Sequence, residues 1–188
     1  GFSSEIVWLI LFAFFISLGF IKTNLGSRIA YMFISRFGHT TLGLAYGLVL
    51  SELMLSPLIP SVTARGGGII YPIAHSLAES YTNYPGRSPS KKTGGFLMQV
   101  CLQSNVITSA LFITAIATNP LTVSLAKDVG GVEISWLMWA KAAIVPGIVN
   151  LLLMPLFLYF IYPPHVKHSE AAPAIAREKL MHMGKMKL

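Results

Sequence analysis

Residues 58–71 read LIPSVTARGGGIIY and interrupt an otherwise strongly apolar chain with two hydroxyls, one arginine and three consecutive glycines. Apolar flanks put this interruption at membrane depth. In hydrocarbon, backbone outside a regular helix is tolerated only where protein or a watery cavity surrounds it, because an unsatisfied amide or carbonyl is costly there. A break of this kind marks a binding site. Composition points the same way: 54% of the residues are hydrophobic and 11% charged, against roughly 25% charged in a soluble domain. The expected fold class is an all-α integral membrane protein. The chain opens at Gly1 with no short signal-like segment, which predicts a piece of a longer polypeptide. The single cysteine, Cys101, excludes an internal disulfide and a cysteine-rich metal site, and its apolar neighbours predict a buried thiol. No metal or cofactor is implied.

Residues 1–24 are expected to form a transmembrane helix, since the apolar run 6–21 is bounded by Glu5 and Lys22 with Trp8 near one end. Over 25–40, Ile29, Met32, Phe33 and Phe37 share one helical face, which predicts an amphipathic interfacial helix with Arg36 reaching toward headgroups. From 41 to 78, two apolar arms flank the glycine-rich break. The second arm has about ten apolar residues, or about 15 Å at 1.5 Å per residue, which covers half a bilayer. It therefore predicts a re-entrant helical hairpin with its tip at 57–68. A loop over 79–93 leads to a discontinuous transmembrane helix over 94–126, cut at Thr118, Asn119 and Pro120. Residues 127–133 connect it to a last transmembrane helix over 134–162, which Pro163 and Pro164 end, and 163–188 form a polar linker.

Cytoplasmic loops carry an excess of lysine and arginine. Lys22, Arg28 and Arg36 precede the hairpin, Arg87, Lys91 and Lys92 follow it, and Lys167, Arg177, Lys179, Lys185 and Lys187 lie in the linker. The 127–133 loop instead sets Lys127 against Asp128 and Glu133. The three basic segments share the cytoplasmic side if the hairpin enters and returns there, leaving 127–133 external. The net charge of +7 follows from this arrangement and gives no reason to invoke nucleic acid.

The tip is suited to anion capture. Ser61 or Thr63 can cap the second arm, so that free amides from Ala64 to Gly68 and roughly half a positive charge face a cavity. Glycines let the backbone approach a ligand, and hydroxyls donate to carboxylate oxygens without adding a permanent charge. Thr118, Asn119 and Pro120 repeat the device, with Asn119 as N-cap and Pro120 as first helical residue. Arg65 is the only charge in the tip, and at this depth a cation costs about 2.5 to 3.5 kcal/mol unless paired or hydrated. It can meet a substrate carboxylate, stand where a coupling cation would sit, or satisfy hairpin carbonyls and pair with Glu52. Gln103, Ser104, Asn105, Thr108 and Ser109 form a polar patch before the second break, open to helix packing or to cavity lining. His75 reads first as a hydrogen-bonded helix histidine and second as a proton relay. Lys141 reads as a snorkelling side chain.

The tip PSVTARGGGIIYPI, the later ITAIATNPL and the ending LYFIYPPHVKHSEAAPAIAREKL resemble the divalent anion/sodium symporter family, in particular its bacterial citrate/succinate antiporters and the chloroplast oxoglutarate/malate translocator. The resemblance covers nearly the whole chain. It implies the later part of the first of two inverted repeats, a re-entrant hairpin bearing a Ser-Asn-Thr signature that holds substrate carboxylate, a homodimer and an elevator movement. By that resemblance Ser61 and Thr63 match the outer signature positions, and Asn119 and Pro120 match the family's Pro-Asn break. Val62 stands where the symporters have asparagine, which disfavours sodium coupling and favours exchange.

The expected function is secondary transport of di- or tricarboxylates such as malate, succinate, oxoglutarate, tartrate or citrate, by sodium-independent exchange. A small carboxylate, membrane lipid and a second copy of the full-length chain are the implied partners. The expected location is a bacterial inner membrane, or an organelle inner envelope. Ser61, Val62, Thr63, Thr118, Asn119 and Pro120 form the expected substrate site, with Arg65, Ser104, Asn105 and Thr108 as further substrate or charge-compensating residues. A sodium-coupled symporter is the alternative within the class. An intramembrane hydrolase using Ser61 and His75 is a remote one, since no G-x-S-x-G elbow occurs.

Overall fold

Every regular element among the described residues, 5–82, 91–168 and 170–184 of the computed structural model, is a helix, apart from an isolated antiparallel bridge between Thr40 and His168. The fold is all-α, as the composition requires. Arg87, Lys185, Lys187 and most of the 79–93 loop lie outside the described residues.

Helices α1 (Glu5–Lys22) and α2 (Leu25–Phe37) are bent by 59° at a break where Asn24 takes the left-handed conformation, φ 53°, which its short polar side chain tolerates. On α2 the buried residues are Gly26, Ala30 and Ile34, four apart, whereas Met32 and Phe37 of the expected apolar face stay exposed. The packed face thus combines two small residues with Ile34. At Gly26 a Cβ would stand 2.6 Å from Ile69 Cδ1, so the glycine is what lets the segment around Ile69 approach.

Helix α3 (Thr41–Leu55) starts at Thr40, whose Oγ1 accepts from the Gly43 amide at 2.9 Å. Its fifteen residues rise about 22 Å, short of a bilayer core of about 30 Å. The chain is irregular over 56–61, then resumes as a π-helix, Thr63–Ile70, that runs directly into α4 (Tyr71–Thr82). The second arm is longer than its apolar residues suggest. Its inward side carries Ile69, Ile70, Ile73, Ala74 and Leu77, and its outward side is polar and contributes nothing to a hydropathy count.

Helix α5 (Lys91–Leu111) packs against α3, α4 and α7, and the core of Leu44, Leu48, Leu55, Ile70, Leu77, Phe96, Leu97 and Val100 lies between these elements. The second break falls at 112–117, ahead of the expected position, and Thr118, Asn119 and Pro120 form the first turn of α6 (Thr118–Gly130). Gly131, at φ 64°, ends α6.

Helix α7 (Trp136–Ile161) is capped by Ser135, whose Oγ accepts from the Met138 amide at 3.2 Å. Its 26 residues rise about 39 Å. Among the described residues it alone is long and apolar enough to cross a bilayer by itself, while α1 from Ile10 and α2 meet that test together as a bent pair. Only Leu151 and Pro155 of α7 are buried. Helix α5 is not apolar enough by itself, since Gln99, Gln103 and Asn105 interrupt its apolar residues.

The stretch after α7 is structured. Thr41 on α3 donates from its amide to the Lys167 carbonyl at 3.0 Å and from Oγ1 to the Val166 carbonyl, and the Val166 amide donates to Thr93 Oγ1 on α5 at 3.2 Å. Helix α8 (Ala171–His182) then packs on α2, burying Ala172, Pro173 and Ala176. Arg28 Nη2 closes its far end, donating to the Met183 and Gly184 carbonyls at 3.0 and 2.9 Å.

Candidate functional site

An arginine cannot sit in an apolar core without partners for its donors, and Arg65 finds them on three segments. It is fully buried. Its Nε donates to Glu52 Oε1 of α3 at 2.8 Å, and its Nη1 donates to the Ile59 carbonyl of the first break and the Ala115 carbonyl of the second, both at 2.7 Å. Nη2 lies 3.5 Å from Ser109 Oγ. Glu52 is buried too, and its Oε1 also accepts from Asn105 Nδ2 at 2.6 Å and Thr108 Oγ1 at 3.3 Å. Of the roles open to Arg65, pairing with Glu52 and satisfying carbonyls is the one the structure contains. Ser104 donates to the Cys101 carbonyl at 3.0 Å within α5 and stands outside this network.

The two helix breaks therefore adjoin. Thr114 Oγ1 adds a second link, donating to the Pro57 carbonyl at 3.1 Å. Asn119 works backward: its Nδ2 donates to the Ser109 and Phe112 carbonyls at 2.8 and 3.0 Å, so it satisfies the open end of α5, and α6 starts at Ala117 without a side-chain cap. The expected N-cap role of Asn119 is thereby replaced by a C-terminal one. Ser61 does cap the second arm, its Oγ accepting from the Ala64 amide at 3.2 Å while its carbonyl accepts from the Arg65 amide at 3.0 Å. Two of the amides expected to be free are thus used within the tip.

The three glycines lie inside the π-helix rather than in irregular backbone. A π-helix of this length is uncommon, and π-turns concentrate at functional sites. The glycines differ. A Cβ on Gly66 would meet the Asn105 amide group at 3.0 to 3.4 Å, whereas Gly67 has only Thr63 Cγ2 at 3.9 Å nearby and Gly68 has nothing within 4 Å. Gly66 is needed for packing, and the other two face open space. Val62, Thr63, Gly66, Gly67, Tyr71, Met98, Cys101, Leu102 and Asn105 line one cavity of about 400 Å³. Pro120 lines a different one of about 320 Å³ with Thr114, Ser124 and Trp136. The expected substrate residues are thus split: Val62 and Thr63 share a cavity with Asn105, while Pro120 lines the other, and Asn119 bonds to the end of α5.

His75, half exposed, lies with Nδ1 3.6 Å from Glu79 Oε1 and its ring 5.7 Å from that of Tyr71. Ser61 and His75 share no hydrogen bond among the described residues. Lys141 is exposed near the start of α7. Glu52 is the hub of this buried network, accepting from Arg65, Asn105 and Thr108. Its signal was present, as the only acid between Glu5 and Glu79 and thirteen residues from the only cation of the tip.

A helical chain with two adjoining helix breaks, a buried ion pair joining them and a long apolar helix alongside has the build of a membrane-transporter segment. It belongs to the family described as the sodium:sulfate symporter transmembrane region, whose family model matches residues 1–188. YflS of Bacillus subtilis strain 168, provisionally named a malate transporter, is 54% identical over 187 residues, 100% of this chain and 39% of its own length. The chloroplastic dicarboxylate transporter 1 of Spinacia oleracea is 50% identical over 186 residues, 99% of this chain and 33% of its own. The L-tartrate/succinate antiporter of Escherichia coli strain UTI89 is 40% identical over 184 residues, 98% of this chain and 38% of its own. The chain thus spans between a third and two fifths of the length of these relatives. The family is one of transporters, so the hydrolase alternative falls.

Proposed function

We propose that the full-length protein exchanges di- or tricarboxylates across a membrane without sodium, with this chain supplying one half of the substrate cavity. The names of the relatives support the substrate class. The observation that carries the coupling is Arg65. A sodium site needs several oxygen ligands, and the Ile59 and Ala115 carbonyls, one from each break, are already taken by the guanidinium. Val62 adds no side-chain oxygen. Arg65 thus stands in the place of a cation, while Glu52 balances its charge inside the protein, so substrate charge is met by neutral donors.

Those donors are the hydroxyls of Ser61 and Thr63 and, in the first turn of α6, of Thr118, while Val62, Gly67, Gly68, Asn119 and Pro120 shape the surface around them. Ser104, Asn105 and Thr108 support the cavity from α5. The hairpin is re-entrant, α2 lies at the membrane interface with Met32 and Phe37 toward lipid, and an inverted second repeat completes the site. The whole protein works as a homodimer by an elevator movement in a bacterial inner membrane or an organelle inner envelope.

The test is counterflow. Full-length protein in liposomes preloaded with unlabelled malate or succinate is expected to take up labelled dicarboxylate equally well in sodium, potassium or choline buffer, and empty liposomes to take up little. Steep sodium dependence together with uptake into empty vesicles would overturn the exchanger and restore the symporter.

A further inference from the structure

The exposed surfaces of this chain fall into two kinds. On α1 and α7 they are apolar: Phe12, Phe15, Ile16, Leu153, Phe157 and Phe160 each expose more than half of their surface. Such faces suit hydrocarbon. On the second arm they are polar. Thr63, Gly67, Tyr71, Pro72, His75, Ser76 and Glu79 are exposed along one side, at the four-residue spacing of a helical stripe, while Ile70, Ile73, Ala74 and Leu77 are buried on the other. The stripe is continuous: Thr63, Gly67 and Tyr71 line the tip cavity, the Tyr71 and His75 rings lie 5.7 Å apart, and His75 reaches Glu79 at 3.6 Å. From Tyr71 to Glu79 it descends about 12 Å at 1.5 Å per residue.

Lipid cannot cover this face without stripping water from an imidazole, two hydroxyls and a carboxylate. We propose that the Thr63–Tyr71–His75–Ser76–Glu79 side of the second arm lines a water-filled route along which a small organic anion reaches the tip, with Glu79 toward its outer mouth. This rests on the transport reading above. Tyr71, His75 and Ser76 offer a hydroxyl, an imidazole N–H and a hydroxyl in succession, so an anion leaving bulk water meets donors before it meets the Thr63 hydroxyl. Glu79 lies beside His75, its Oε1 3.6 Å from Nδ1.

The test is thiol accessibility in the full-length protein reconstituted in liposomes, with the native cysteines replaced. Single cysteines at Ser76→Cys and His75→Cys on the stripe are compared with Leu77→Cys on the buried side and Phe157→Cys on the apolar face of α7. The probe is the anionic, membrane-impermeant reagent sulfonatoethyl methanethiosulfonate, applied to each side of the membrane. Both stripe positions are expected to react at least tenfold faster than the other two, and malate or succinate is expected to slow the reaction at Ser76→Cys severalfold. Reaction at the stripe no faster than at Phe157→Cys, from either side, would overturn the route and mean that the rest of the protein packs there. Fast reaction that no dicarboxylate slows would uphold a watery face and overturn the dicarboxylate reading instead. Ser76→Cys is nearly isosteric and exposed, so it carries the result if a bulkier change disturbs folding.

Discussion

Glu52 and Arg65 form an ion pair, Nε to Oε1 at 2.8 Å, with side-chain exposures of 1% and 0%. Thirteen residues separate them, and the irregular first break lies between. Because each charge is desolvated, the pair is held by what surrounds it: Asn105 and Thr108 on the carboxylate, two carbonyls on the guanidinium.

Removing one partner strands the other. Arg65→Met or Glu52→Leu is expected to destabilise the full-length protein by about 3 to 5 kcal/mol. The double variant, which leaves no unpaired charge, is expected to recover part of that loss. Thermal unfolding in detergent checks both, and a double variant as unstable as the sum of the singles would count against the pair as the source.

Gly66→Ala pushes a methyl against the Asn105 amide group, which its 2.6 Å bond to Glu52 holds in place. The expected cost is about 1 to 3 kcal/mol. Gly68→Ala meets nothing and is expected to leave stability unchanged or raise it by about 0.5 to 1 kcal/mol. If the backbone at Gly68 receives substrate, the same variant loses uptake while remaining well folded, a separation that melting curves and transport assays together can read.

Asn119→Leu deletes both donations to the end of α5; the Phe112 carbonyl keeps the Ala115 amide at 3.0 Å, whereas the Ser109 carbonyl loses its Asn119 donor. A loss of about 1 to 3 kcal/mol follows. Asn119→Asp, of nearly the same shape, is expected to be at least as damaging, because it sets a carboxylate oxygen against a carbonyl. Hydrogen exchange at residues 109–117 should quicken in both variants, and unchanged protection would contradict the capping role.

Ser61 and Thr63 separate structure from binding. Ser61→Ala removes a cap and is expected to cost about 1 kcal/mol of stability. Thr63 is exposed, with no hydrogen bond from its hydroxyl among the described residues, so Thr63→Ala is expected to change stability by less than about 0.5 kcal/mol. Its effect falls on dicarboxylate affinity, a weakening of about 1.5 to 3 kcal/mol for one lost bond to a charged ligand. Equal affinity of Thr63→Ala and the parent protein would remove this hydroxyl from the site.

What could be read in the sequence was whatever hydropathy and local residue chemistry encode: helices throughout, the long α7, the presence of a break ahead of the glycines and the capping serine, although the irregular backbone lies at 56–61 and the glycines themselves are helical. What it hid were relations across the chain. Asn105 and Thr108 lie 53 and 56 residues from the carboxylate they serve, so no local pattern announces them. The second break was displaced because FITAIA looks like continuous apolar helix, and only the backward reach of Asn119 reveals where α5 stops. Helix α8 was read as a tail because alanines and a proline make its packed face, and small residues leave no periodic apolar signal.

The short strap at 166–168 gains its meaning from what happens at the opposite end of the same helices. Helices α3 and α5 start together, with Thr41 and Thr93 fastened to the strap, and they finish together, where Thr114 and Arg65 fasten one break to the other. Two rods hinged at a single end can scissor; two rods bolted at both ends can only travel together. The strap and the paired breaks thus tie α3 to α5 at both of their ends.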